Sequence, residues 1–200
     1  MFITFDGIDG GGKSTQIELL SEYLSGLGHS IDLIRDPGTT AAGEAIREII
    51  LNRTEIDIDP ITEMLLYQAA RAQLVRERIE PSLQAHRTVI SDRFLLANLV
   101  YQGSGGGVPI DQIWAAGAIA TAGRKPDFTV LLELPVEVAQ SRLGGVKDRL
   151  ERRSLEYFER VRQGFLENVT QTCSHFLVVD AEETPEAIHA SIVAALTPLL

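Results

Sequence analysis

The chain has 200 residues, 44% of them hydrophobic, with 28 acidic against 18 basic side chains and a formal net charge of −10. That length suits one domain with an ample core, and the acidic balance excludes a general nucleic-acid binder, which needs a basic stripe along the phosphates. A lone cysteine, Cys173, excludes a disulfide framework and points to a reducing compartment, and no apolar run approaches membrane-spanning length.

Residues 2–5 read as a strand with no charged n-region before it, so a soluble cytoplasmic protein is expected. Directly behind comes Phe5-Asp-Gly-Ile-Asp-Gly-Gly-Gly-Lys-Ser-Thr15, which satisfies G-x-x-x-x-G-K-[ST] between a strand and a helix. Glycines let successive N–H groups turn inward around an anion, and the helix N-terminus adds partial positive charge. Gly7, Gly10, Gly11, Gly12 and Thr15 belong to that cradle. Lys13 is placed to reach the outer phosphates of a nucleoside triphosphate, and the Ser14 hydroxyl to help hold Mg²⁺.

Residues 14–25 form the following helix, with Ile17, Leu20 and Leu24 at helical spacing. A second strand, 30–34, ends in Arg35-Asp-Pro-Gly38, a guanidinium followed by a tight turn. Helices follow at 42–51 and 61–83, the latter starting behind Pro60 with Pro81 near its end. On it Tyr67 and Arg71 lie four apart on one face, a spacing that serves either a stacked and hydrogen-bonded base or a core residue beside a surface one. The third strand, 88–91, runs into Asp92-Arg93 at the sheet edge where ligands bind. There Asp92 can orient Mg²⁺ through water and Arg93 can bridge two phosphates, or the two can merely solvate a loop as an ion pair. Asn98 and Tyr101 lie three apart and face the same way, an amide able to read a base edge and a phenol able to exclude a 2′-hydroxyl.

Residues 103–107, Gly-Ser-Gly-Gly-Gly, read as a mobile loop. Then come a helix at 110–122, where Trp114 packs, a strand at 128–134, helix 150–171, strand 176–179 and helix 185–196 capped by Thr184. His29, His86, His175 and His189 share no metal-ligand spacing and fall near element ends. Five β-α alternations predict an α/β fold, a doubly wound five-stranded parallel sheet with ligands beyond the strands' carboxyl ends. An acidic chain that handles phosphates must gather its cations into one cleft.

The combination of phosphate loop, Arg35-Asp-Pro-Gly38, Glu63-Met-Leu-Leu-Tyr-Gln-Ala-Ala-Arg-Ala-Gln73, Asp92-Arg93 with Tyr101-Gln-Gly103, Lys125-Pro-Asp127, Asp148-Arg-Leu-Glu151 with Tyr157-Phe-Glu-Arg-Val-Arg162, and Val179-Asp-Ala181 resembles the thymidylate kinases over nearly the whole chain. The resemblance implies a single P-loop kinase domain over 1–200 that moves the γ-phosphoryl of ATP onto dTMP with Mg²⁺, and a homodimer joined through helices. It implies that Lys13 and the loop amides hold the ATP phosphates, with Ser14 at the metal and Asp9 near the acceptor sugar and metal. Arg35 and Arg93 align the acceptor phosphate. Tyr67 stacks on thymine, Arg71 meets its carbonyl edge, Asn98 contacts the base and Tyr101 favours deoxyribose. Residues 142–153 correspond to the lid, Arg142 packs over adenine, and Asp180 and Ala181 lie beside it.

The chain departs from the family pattern at Asp36, where glutamate is usual, at Thr39 for glycine and at Ala97 for serine. Gly10 stands where one class carries a catalytic arginine, so the lid must supply that charge. Lys147 and Arg149 are the candidates, with Arg152 and Arg153 a turn later, and Arg149 is assigned the catalytic role. Two rivals remain: another nucleoside monophosphate or deoxynucleoside kinase, and a nucleotide-dependent switch.

Overall fold

The computed structural model describes residues 1–53, 55–143 and 153–200. Among them the elements run β1 (Phe2–Asp6), α1 (Lys13–Gly26), β2 (Ile31–Arg35), α2 (Ala41–Arg47), α3 (Pro60–Leu74), α4 (Glu80–Gln84), β3 (Thr88–Asp92), α5 (Leu95–Asn98), α6 (Ile110–Thr121), β4 (Phe128–Glu133), α7 (Val136–Arg142), α8 (Leu155–Thr172), β5 (His175–Asp180) and α9 (Pro185–Leu196). The strands form one five-stranded parallel sheet in the order β2-β3-β1-β4-β5, so the chain starts in the middle and winds outward both ways. This is the doubly wound α/β architecture expected.

Alternation along the central strand separates two cores. Phe2 joins Met64, Leu74 and Ile113 of α3 and α6, whereas Ile3 and Phe5 join Leu20 and Leu24 of α1 and Ile192 of α9. Every residue of β1 is buried, which is why the strand reads as continuously apolar. Its one charged residue, Asp6, is buried as well and stands at its carboxyl end. Register then matters for function: Phe5 pairs with Asp92, Asp92 with Arg35, and Asp6 with Leu131, so the charged ends of three strands stand side by side.

Caps and prolines set the helix starts. Asp59 and Thr184 each accept a backbone N–H in front of Pro60 and Pro185. The helix expected over 61–83 is instead interrupted: α3 passes through a π-turn, Val75–Ile79, before α4, and the wider turn lets Pro81 sit where its missing N–H is not needed. A second π-turn, Glu48–Asn52, prolongs α2.

The loop expected at residues 103–107 is helical over its first three residues, and only Gly106 and Gly107 stand exposed beyond it. The segment Leu99–Gly105 is a π-helical continuation of α5, and Gly103 and Gly105 are buried. A Cβ on Gly105 would stand 2.7 Å from the Tyr157 ring and 2.8 Å from Val161, so the glycine there admits α8 rather than loosening the chain. His189 is likewise inside α9, edge-on to Tyr23 at 5.9 Å, not at an element end. No helix among the described residues is long and apolar enough to cross a membrane.

Candidate active site

The phosphate loop turns between β1 and α1. Gly10 has φ +87°, and a Cβ there would come within 2.4 Å of the Ala139 carbonyl on α7. The position therefore has no room for an arginine. Helix α1 starts at Lys13 with no side-chain cap, which leaves its first N–H groups facing the loop. Ser14 and Thr15 are exposed there.

Four side chains join the loop to the end of β3. Lys13 Nζ donates to the Gly7 and Ile8 carbonyls, each at 3.1 Å, and to Asp9 Oδ1 at 3.2 Å. Arg93 Nη2 donates to the same Asp9 oxygen at 2.7 Å and to the Tyr101 hydroxyl at 3.0 Å, and Nη1 to the Gly7 carbonyl at 3.0 Å. The guanidinium also lies 4.8 Å over the Tyr101 ring. Arg93 itself has φ +71°, a costly backbone for a non-glycine residue that swings its side chain back across β1.

Electrostatics follow from that packing. Burial would raise the Asp9 carboxyl, but Arg93 and Lys13 outweigh it and hold it well below the usual carboxylate range. Burial and the neighbouring Arg93 push the Lys13 ammonium down. Asp6 is the opposite case. It is fully buried with no hydrogen bond to either carboxylate oxygen, and burial pushes it up to about 7 against the pull of Arg93 and Lys13.

Beside this cluster opens a cavity of about 190 Å³ lined by Asp9, Arg35, Tyr67, Arg71, Asp92, Arg93, Asn98 and Tyr101, together with Asp36, Pro37, Arg47, Leu51, Ala97 and Gln102. Residues scattered from 9 to 102 thus meet around one space. Arg35 is held by Glu44 at 3.1 Å at its mouth. Arg71, 1% exposed, donates to Asp36 Oδ2 at 2.6 Å from the floor, and Arg47 Nη1 to the Pro37 carbonyl at 3.1 Å.

On the far side of the loop, Arg142 at the end of α7 donates to the Ala181 carbonyl at 2.8 Å, beside Asp180 at the end of β5. Arg149 and Lys147 lie outside the described residues. Arg153 is described, 3.8 Å from buried Glu63 and 5.4 Å over the Tyr157 ring.

Arg47, Asp6, Gln68 and Gln102 were not singled out from sequence. Arg47 carries no local signal, since nothing but tertiary folding brings α2 to the cavity. Asp6 had one: a carboxylate closing an otherwise apolar strand.

The donor set suits a hard divalent cation. Asp92 Oδ1 is buried with no hydrogen-bond partner, and Ser14 is exposed close by in the chain to the loop that carries Asp9. Among the described residues no cluster of three or more His, Cys, Asp or Glu could hold a metal alone. Such an ion would complete its shell with phosphate oxygens and water, as Mg²⁺ commonly does.

Comparison with known proteins agrees with this geometry. The family model described as thymidylate kinase matches residues 5–192. Among curated relatives, a thymidylate kinase of Kosmotoga olearia is 44% identical over 195 residues, covering 96% of this chain and 93% of that protein. One of Rhodopirellula baltica is 42% identical over 192 residues, covering 96% and 78%. Among solved structures, the crystal structure of thymidylate kinase from Ehrlichia chaffeensis superposes with a TM-score of 0.79 at 29% identity, covering 98% of each chain. A family model spanning nearly the whole chain, and relatives above 40% identity over 96% of it, establish that the chain belongs to the thymidylate kinase family.

Proposed function

We infer that the protein transfers the γ-phosphoryl group of ATP to dTMP, giving dTDP and ADP. The observation that carries this reading is the contact of Arg93 with both Asp9 of the phosphate loop and Tyr101 of the cavity, which links a triphosphate cradle to a second nucleotide pocket.

In this reading ATP lies along the loop, with Gly7, Gly10, Gly11, Gly12 and Thr15 around the phosphates and Arg142, Asp180 and Ala181 at the adenine end. Lys13 exchanges its carbonyl partners for the outer phosphates. The dTMP base enters the cavity between Tyr67 and the Arg71–Asn98 floor, Tyr101 abuts the sugar, and Arg35 and Arg93 take the acceptor phosphate. Mg²⁺ held near Ser14, Asp9 and Asp92 would neutralise charge between the β- and γ-phosphates. The acceptor oxygen is already anionic, so no side chain need act as base. An acceptor phosphate oxygen bonds to the γ-phosphorus as the β–γ bridging bond breaks, and the chain's task is in-line alignment and screening of two anions that repel. Arg149 supplies the lid charge that Gly10 cannot.

The single kinase domain over 1–200, the lid at 142–153, a cytoplasmic site of action and a homodimer complete the proposal. Exposed Ile61 and Leu65 on α3 and Ile119 on α6, 77% exposed, support a subunit contact on that side.

ADP release measured with dTMP, dUMP, dGMP, UMP, thymidine or no acceptor tests the reading. Turnover should be fastest with dTMP. The lost methyl is worth about 1–3 kcal/mol, so dUMP should be slower by roughly 10- to 200-fold rather than inert. Faster transfer to another acceptor, or acceptor-independent hydrolysis alone, would reject it.

A further inference from the structure

An unbroken line of buried side-chain hydrogen bonds links three cavity-lining residues, Arg71, Asn98 and Gln102, through Gln68 to Glu63. Arg71 Nη1 donates to Gln68 Oε1 at 2.8 Å, and Gln68 Nε2 donates to Asn98 Oδ1. Asn98 Nδ2 donates to Gln102 Oε1 at 2.7 Å, and Gln102 Nε2 to Glu63 Oε1 at 2.9 Å. None of the five is more than 4% exposed.

The two ends of this line are chemically unlike. A guanidinium only donates and a carboxylate only accepts, so the three amides between them have one orientation that satisfies every link. Turning Asn98 over would set its amino group against that of Gln68 and its carbonyl against that of Gln102. Relieving the second clash means turning Gln102, whose oxygen would then face the Glu63 carboxylate. Relieving the first turns the Gln68 amino group onto Arg71. Each reversal leaves buried polar atoms facing their like.

The consequence lies in the cavity. Asn98 Oδ1 is on the Arg71 side, 3.5 Å from Nη1, and both residues line the space. An amide oxygen accepts two hydrogen bonds: Gln68 fills one, and the other is met only by that long Arg71 contact, which a shorter bond from a base N–H would displace, while Arg71 keeps one Nη2 N–H beyond those given to Asp36, Gln68, Asn98 and Phe94.

We propose that Glu63 and Gln102 are positioning residues that lock the Asn98 carbonyl toward the acceptor base, so that the pocket presents an acceptor beside the Arg71 donor and selects a pyrimidine with N3–H and a 4-carbonyl over one with N3 and a 4-amino group. The inference rests on the dTMP reading and extends it to how the base edge is read. Glu63 touches no substrate and acts through Gln102 and Asn98. Its second neighbour is Arg153, at 3.8 Å.

The test is the ratio of kcat/KM for dTMP to that for 5-methyl-dCMP, two acceptors that differ only at that ring edge. Glu63→Gln keeps shape but lets the introduced amide donate, so the Gln102–Asn98 pair can turn over against opposition from one end alone. The ratio should fall by about three- to tenfold, the worth of one net hydrogen bond. Gln102→Met, which cuts the same link, should shift it in the same direction. The ratio and not the rate is read, because a merely structural role would slow both acceptors together. A wild-type ratio in either variant that retains its melting transition overturns the proposal. Should the wild type fail to phosphorylate dTMP, the functional reading falls and takes this one with it; robust dTMP turnover with an unmoved ratio sinks this one alone.

Discussion

Arg93 stands where the phosphate loop meets the cavity. Its strained backbone, its two hydrogen bonds to the loop side and its contact with Tyr101 leave the guanidinium little freedom. A cation so placed is worth most when negative charge moves through the site, and loss of an arginine at a transferring phosphate commonly costs about 10³–10⁵ in turnover. Arg93→Ala should therefore lower kcat on that scale while the far-UV circular dichroism stays that of the wild type. A rate within tenfold of wild type would remove Arg93 from the machinery. Asp6, on the neighbouring strand, carries a different prediction. Burial pushes its carboxyl from the ordinary 3.8 up to about 7 in the folded protein, so between those values the native state holds a proton that the unfolded chain releases. Stability contributed by that proton is present at low pH and is lost as pH rises toward 7. Asp6→Asn should accordingly raise the melting temperature more at pH 8 than at pH 5 in chelator-containing buffer, and an equal gain at both would contradict the buried, unpaired carboxylate.

Elements position these residues by register and by close approach. Parallel pairing aligns Arg35, Asp92 and Phe5, which delivers the charged ends of β2 and β3 and the loop after β1 to one edge. Behind them, the helical stretch after α5 carries Tyr101 and Gln102 inward, and it can do so because α8 packs directly on Gly105. In an exposed helix, replacing glycine by alanine gains roughly 0.5–1 kcal/mol. Here the added methyl meets Tyr157 at 2.7 Å, and overpacking of a filled core costs about 1–3 kcal/mol. Gly105→Ala should thus lower the denaturation midpoint, with weaker dTMP binding as Tyr101 shifts. A stabilised variant would mean the helix–helix contact is looser than described.

For the molecule as a whole, a net charge of −10 coexists with a site built from Lys13, Arg35, Arg47, Arg71 and Arg93. Focusing resolves the contrast: cations distributed along the chain converge where the sheet ends, each steadied by an aspartate, a glutamate or a backbone carbonyl. Much of this was legible in the linear chain. The phosphate loop, the strand alternation, the Thr184 cap and the Asp92-Arg93 strand end are local patterns, set by backbone geometry and by a period of two or 3.6 residues, and local physics can be read locally. What folding alone decided lies between elements distant in the chain. A glycine-rich stretch became a buried helical turn because of Tyr157, some fifty residues on; Arg47 reached the cavity across a loop; and three amides acquired a single orientation because Arg71 stands at one end and Glu63 at the other. Packing and hydrogen-bond polarity depend on which neighbour arrives, and no periodicity records that.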